Sequence, residues 1–208
     1  MAASDTEIAN LALLHLGHTV EIGSLATTRT EAAYVMRRLY DTVRRATLRD
    51  HAWPFAHKVG ALGLVSTYGV DASHPTSEWK FVYRMPSDSV RFIKIQSGIR
   101  NDTRQSEIKF KVSRDASGWV IFTDAEDAIG EWTIDIESVE MYPDDFVLAF
   151  SLRLAAYAAP KICGEDPFRM GERSMNLYMK EIDMARANGM NEMVREEEPE
   201  PEAIRART

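Results

Sequence analysis

The chain holds one cysteine, Cys163, among 208 residues. That excludes an internal disulfide framework and a cysteine-built zinc site, so burial or assembly has to stabilise the fold. No apolar run approaches the roughly 18–20 residues of a membrane-spanning helix; the longest, 146–160, is interrupted by Ser151 and Arg153. No membrane partner is expected. The N-terminus reads Met-Ala-Ala-Ser-Asp, without the basic-then-apolar order of a signal peptide, so synthesis and assembly are expected in the cytoplasm. A Gly-rich phosphate loop, a GxGxxG fingerprint, a GxSxG elbow and an HExxH helix are all missing. Nucleotide-binding and standard hydrolase readings thereby lose their usual support. Positive charge is in short supply too, with 25 Lys and Arg against 32 Asp and Glu and a net charge of −7. A protein that grips nucleic-acid phosphates carries the opposite balance.

The remaining composition is globular: 45% hydrophobic, 27% charged and 9% aromatic, sufficient to bury the core of one domain or of a domain with an insertion. Ser4-Asp-Thr-Glu7 spells a capping box and predicts a helix over 5–16 that ends at Gly17. Thr28 and Glu31 repeat the capping pattern. Ala32, Met36, Leu39, Val43 and Ala46 then carry a helical stripe toward Asp50, short of Pro54. From Trp79 the period becomes two. Strands are expected at 79–84, 90–95, 108–112, 119–123 and 132–136, each with one wet face, and Ser117-Gly118 as a turn.

Pro143-Asp144-Asp145 opens a third helix, 146–162, apolar on nearly every side and so buried, with Pro160 set to kink or end it. Asp166-Pro167 caps a fourth, whose stripe is Met175, Tyr178, Ile182 and Ala185 and whose stop is Gly189. The expected fold class is α+β. Segments 1–60 and 141–189 form a bundle of about four helices packed around the third, and 61–140 an inserted antiparallel sheet of about five strands. An extended C-terminal arm occupies 190–208. The arm runs Glu196-Glu-Glu-Pro-Glu-Pro-Glu202 and then Ala203-Ile-Arg-Ala-Arg-Thr208. It is too charged to fold alone, and its basic, slightly apolar tip suits docking on another protein. A solvated chain end is the ordinary alternative.

Candidate chemistry is sparse. His15 and His18 share a helix face, and His51 and His57 flank Trp53-Pro54-Phe55; either pair supplies two metal ligands, but no third lies at a metal spacing. No metal is expected. Glu126, Asp127, Asp144 and Asp145 are candidates for the acid and base of a glycoside hydrolase, which stand roughly 5–9 Å apart. Thirty-two acidic residues make such pairs common, however, and capping accounts for Asp144 or Asp145. No catalytic residue and no cofactor are assigned, and the chain reads as no enzyme. Trp79, Phe81 and Tyr83 beside Lys80 and Arg84 suit either a stacking platform for single strands or, as alternation favours, the core face of a strand. Met170, Met175, Met179 and Met184 suit an adaptable partner surface or core filling equally.

Four segments go further: Glu7-Ile-Ala-Asn-Leu-Ala-Leu-Leu-His-Leu-Gly17; Tyr40-Asp41 through Leu48-Arg-Asp-His-Ala-Trp-Pro-Phe-Ala56; Tyr83-Arg-Met-Pro-Ser-Asp88; and Tyr142-Pro-Asp-Asp-Phe146 leading into Leu154-Ala155. Their order and spacing over 7–160 resemble the head-to-tail adaptor proteins of short-tailed bacteriophages, also called tail tubular protein A or head-completion adaptors. The resemblance implies a helical bundle with a β insertion, and a structural virion component at the tail neck. It further implies a ring of about twelve copies joining the portal protein to the tail nozzle protein, built on heterologous contacts. Genomic DNA would pass through its channel without specific binding, as suits an acidic wall that repels DNA within a Debye length of about 8 Å. The arm would dock on the portal, with Met193, Ile204, Arg205 and Arg207 as anchors, and the sheet region would face neighbours or the nozzle. The arm matches no motif of the family, so those anchors rest on its own composition. Two rival readings are a tail-associated peptidoglycan hydrolase and a non-viral protein-interaction module.

Overall fold

A computed structural model describes residues 4–192 apart from Val20, Ser73, 100–105 and Glu165. Within it the capping box forms as written: Ser4 Oγ accepts from the Glu7 N–H at 3.2 Å and Glu7 Oε2 from the Ser4 N–H at 2.7 Å, opening α1 (Asp5–His15). The cap of α2 (Glu31–Asp50) is Thr30, not Thr28. Thr30 Oγ1 accepts from the Ala33 N–H. Thr28 is spent two residues earlier, closing a turn in which its N–H reaches Ser24 O and its Oγ1 accepts from the Ser24 N–H.

The expected centre of the bundle is α3 (Asp144–Ile162), against which α1, α2 and α4 (Pro167–Glu192) all pack. Phe146, Phe150, Leu154, Ala155 and Ala158 are wholly buried along it. Pro160 falls in its last turn and the helix ends two residues later. The proline ring removes the N–H that would have bonded the Ala156 carbonyl. Gly171 of α4 comes close to that carbonyl: a Cβ built on it would stand 3.1 Å from Ala156 O. Asp166 caps α4 as expected, its Oδ1 accepting from the Arg169 N–H. The expected stop at Gly189 is not used, and the helix runs on to Glu192. A glycine costs a helix interior about 1 kcal/mol, which a packed helix can absorb.

Between α2 and α3 lie seven strands in two antiparallel sheets, where the sequence predicts about five in one. The first sheet has the order β1 (His57–Ala61), β7 (Ile129–Ile134), β4 (Ser89–Ile95). The second has the order β2 (Gly63–Thr67), β3 (Phe81–Arg84), β6 (Gly118–Thr123), β5 (Phe110–Asp115). The two unexpected strands are halves of one run, 57–67, which changes sheets at Leu62, whose N–H bonds the Ala128 carbonyl. Leu62 is buried there with Phe81, Tyr83, Phe92, Ile95, Ile121 and Trp132 in the core of the insertion. The one-wet-face expectation fails at β3, which buries Phe81, Val82 and Tyr83 in succession. Val82, Val120 and Phe122 form a second small cluster on the opposite face, covered by Trp79.

Gly60 and Gly130 oppose each other across β1 and β7. They leave room for rings: a Cβ on Gly130 would stand 2.7 Å from Phe92 Cε2 and 3.0 Å from Leu62 Cδ2. Gly130→Val should therefore overpack the insertion and cost about 1–3 kcal/mol. Urea unfolding measures it, and a loss below about 0.5 kcal/mol would contradict the packing. The fold is α+β, four helices with two antiparallel sheets between α2 and α3. From residue 193 the expected arm lies outside the described residues.

Candidate interaction surfaces

Residues from the four resembling segments meet at the junction of bundle and insertion. Phe146 is ringed by Trp53 at 5.0 Å, Phe55 at 5.0 Å and Tyr142 at 4.8 Å, centroid to centroid. Tyr40 stacks edge-on against Phe150 at 5.0 Å, and its hydroxyl donates to Asp5 Oδ1. Burial first and the Asp5 carboxylate second push the Tyr40 phenol well above its ordinary pKa. From α1, Ile8 and Leu13 are buried in the same core, and His15 Nε2 lies 3.1 Å from Ser151 Oγ of α3.

The insertion is fastened there by charge. Arg44, 3% exposed, donates to Asp135 Oδ1 at 2.6 Å and to the Ile136 carbonyl, which also accepts from the Tyr142 hydroxyl. The Asp135 N–H bonds the Asp88 carbonyl. Asp88 accepts in turn from Lys58 Nζ at 2.7 Å and Trp132 Nε1 at 3.1 Å. On the other side Arg153 and the Tyr178 hydroxyl both donate to Asp50 Oδ2, tying α2, α3 and α4. Arg91 and Arg186 cap the last carbonyls of α2, those of Arg49 and Asp50. A cleft of about 520 Å³ beside Arg37, Tyr40 and Arg44 is floored by these mutually satisfied groups. Arg37, Tyr40 and Arg44 are thus spent on the joint, while Glu137 lines the same cleft and Arg153 Nε, on the Asp50 side, is buried without a partner.

The candidate histidines are dispersed. His15 faces Ser151, His57 pairs with Glu131 at 3.1 Å, His51 stacks on Trp53 at 4.9 Å, and His18 is likewise engaged. Among the described residues no three His, Cys, Asp or Glu side chains are grouped to hold a metal ion. Of the candidate carboxylates, Glu126 and Asp127 lie in the turn before β7, and Asp144 and Asp145 in the first turn of α3, where Asp145 Oδ1 accepts from the Phe146 N–H. Phe81 and Tyr83 are core and Trp79 covers the second cluster, so these three make no stacking platform. Met170 and Met175 pack against the bundle, whereas Met179 and Met184 are exposed. Met193, Ile204, Arg205 and Arg207 lie outside the described residues. Among those described, no helix is long and apolar enough to cross a membrane.

At the β5–β6 hairpin Arg84 grips Asp115 with both guanidinium ends, at 2.8 and 2.9 Å. That bond first, and then the Ser117 N–H, hold the Asp115 carboxyl down at about 2. A depressed carboxyl contributes stability above its unfolded pKa near 3.9 that is lost as pH falls through about 2. An NMR titration should place the Asp115 midpoint near 2 in the native chain and higher in Arg84→Met, still below the ordinary 3.9 because the Ser117 N–H remains. The same midpoint in both would refute the pairing.

The surface that sequence reasoning missed is the exposed apolar stretch on and after β2. Leu64, Val65, Tyr68 and Val70 are 57%, 42%, 53% and 79% exposed. A charge-free run from Val59 to Val70, punctuated by Gly60, Gly63 and Gly69, was its sequence signal. Trp119, on the β5–β6 hairpin, and Phe168, at the start of α4, are also exposed. A scan against protein-family models found no matching family, and a search of curated proteins found no relative.

Proposed function

We propose that this chain is a structural adaptor of a short-tailed phage, a ring-forming component between the portal and the tail nozzle. The observation that carries the reading is the convergence of the four resembling segments. Leu13, Tyr40, Trp53, Tyr142 and Phe146 share one core, and hydrogen bonds through Asp135 and Ile136 join Arg44 and Asp88 to it where insertion meets bundle. A protein that works by holding two partners in register needs a stiff joint of this kind. Its outer surfaces are then free to be specialised for neighbours. The bundle, the insertion and the arm each offer one such surface, and the acidic balance of the chain suits a conduit that does not retain DNA.

The test is co-sedimentation of the purified full chain with portal rings and, separately, with nozzle protein from the same genome. Retention by portal rings, and recruitment of nozzle protein only once this chain is bound, is expected. Failure to bind either partner would overturn the reading.

A further inference from the structure

Among the described residues both ends of the four-stranded sheet are open: β2 pairs only with β3, and β5 only with β6. Because four strands alternate in direction, β2 and β5 run antiparallel to each other. A second copy placed with its β2 beside β5 would therefore continue the alternation without reversing a strand.

The two edges are guarded unequally. Lys111 and Arg114 on β5, and Lys109 just before it, are exposed and make no ion pair among the described residues, while Asp115, the one acid on the strand, is held by Arg84, and Glu107 lies before Lys109. Like charges facing each other across a strand pair are destabilising, so β5 rejects a second β5. From Gly63 to Val70 the other edge carries no charge and displays Leu64, Val65, Tyr68 and Val70; it closes at Thr67, whose N–H donates to Oδ2 of exposed Asp71 and whose carbonyl accepts from the Val70 and Asp71 N–H groups, leaving 63–66 open. An uncharged apolar edge is the kind that proteins ordinarily blunt unless a partner covers it.

We propose that the open edge of β2 receives the β5 edge of a second copy of this chain, head to tail. The basic strand lies along the uncharged one with Asp71 at its end, and Val112 and Trp119 add apolar cover from the β5–β6 hairpin. Each copy spends one edge of each kind on a different neighbour, so the contact is heterologous and propagates until rotation closes it. This rests on the adaptor reading for closure into a ring, but not for the pairing itself.

The test replaces Val112 by a photo-reactive phenylalanine analogue in the full-length chain and irradiates it at concentrations up to ~1 mM, at which a contact with a Kd of about 1 mM is still populated. The same analogue at Trp119 serves if the first variant folds poorly by circular dichroism. Cross-links from 112 into 63–71 of another copy, confirmed by isotope mixing, and a gel ladder extending beyond dimers are expected. Cross-links to another copy's 110–115, a ladder stopping at dimers, or a chain monomeric throughout would overturn the pairing. Portal binding with cross-links elsewhere would sink this contact and leave the adaptor reading. The expected cross-links in a chain that never binds portal rings would do the reverse.

Discussion

A chain ending at Glu192 should melt within about 1 °C of the full chain, because the described core ends at Ala185, and should bind portal rings at least about a thousandfold more weakly. The first half follows from where α4 stops. Its last described buried residue is Ala185, and the helix continues to Glu192, so a cut there removes no described packing. A cut at residue 190, the arm boundary expected from Gly189, would instead trim the helix itself. The second half follows from the arm's composition. The stem is acidic with two prolines and the tip basic, and Met193, Ile204, Arg205 and Arg207 are residue types that anchor interfaces. Four anchors at about 1 kcal/mol or more each amount to about three orders of magnitude in Kd. Co-sedimentation of truncated and full chains with portal rings measures it, and unimpaired binding by the truncated form would refute the arm's role.

Asp135→Ala should destabilise the protein by about 3–5 kcal/mol, a Tm loss on the order of 10 °C at this length. Arg44 is 3% exposed, and without the carboxylate its guanidinium keeps the Ile136 carbonyl and the Tyr142 hydroxyl, both neutral, as short-range partners, with Asp41 Oδ1 3.6 Å away on the exposed side. A buried cation without its partner costs far more than the pair contributes, since the desolvation of the remaining charge goes uncompensated. Arg45→Ala is the internal control. Arg45 reaches the same carboxylate at 3.3 Å from a 59% exposed position, so its loss should cost less than about 1 kcal/mol. Chemical denaturation of both variants decides: equal effects would mean that the joint is not held by Arg44.

Both predictions bear on how much of this fold was legible in the chain. Helices were readable where a local rule was sufficient: Ser4-Asp-Thr-Glu7 and Asp166-Pro167 fix their own termini by hydrogen bonds within three residues. Thr28 and Gly189 misled for the same reason. A capping pattern two residues early is a local signal that a turn at Ser24 overrides, and a single glycine near a helix end is too small a penalty to stop α4. Strands β1 and β2 carry no alternation because they lie at sheet ends, where most of their side chains are exposed whichever way they point. The joint was half visible. Tyr40, Trp53 and Tyr142 stood within the resembling segments, but nothing in the sequence pairs Arg44 with a carboxylate 91 positions away.

The measurement that bears most directly on the account is the native mass of the purified full-length chain, alone and after mixing with portal rings of the same genome. A ring-forming adaptor should add about twelve copies to each portal ring as one discrete step, the stoichiometry of a closed cyclic assembly. A portal mass unchanged by excess chain, or a broad series of partial additions that never resolves into one closed stoichiometry, would contradict it.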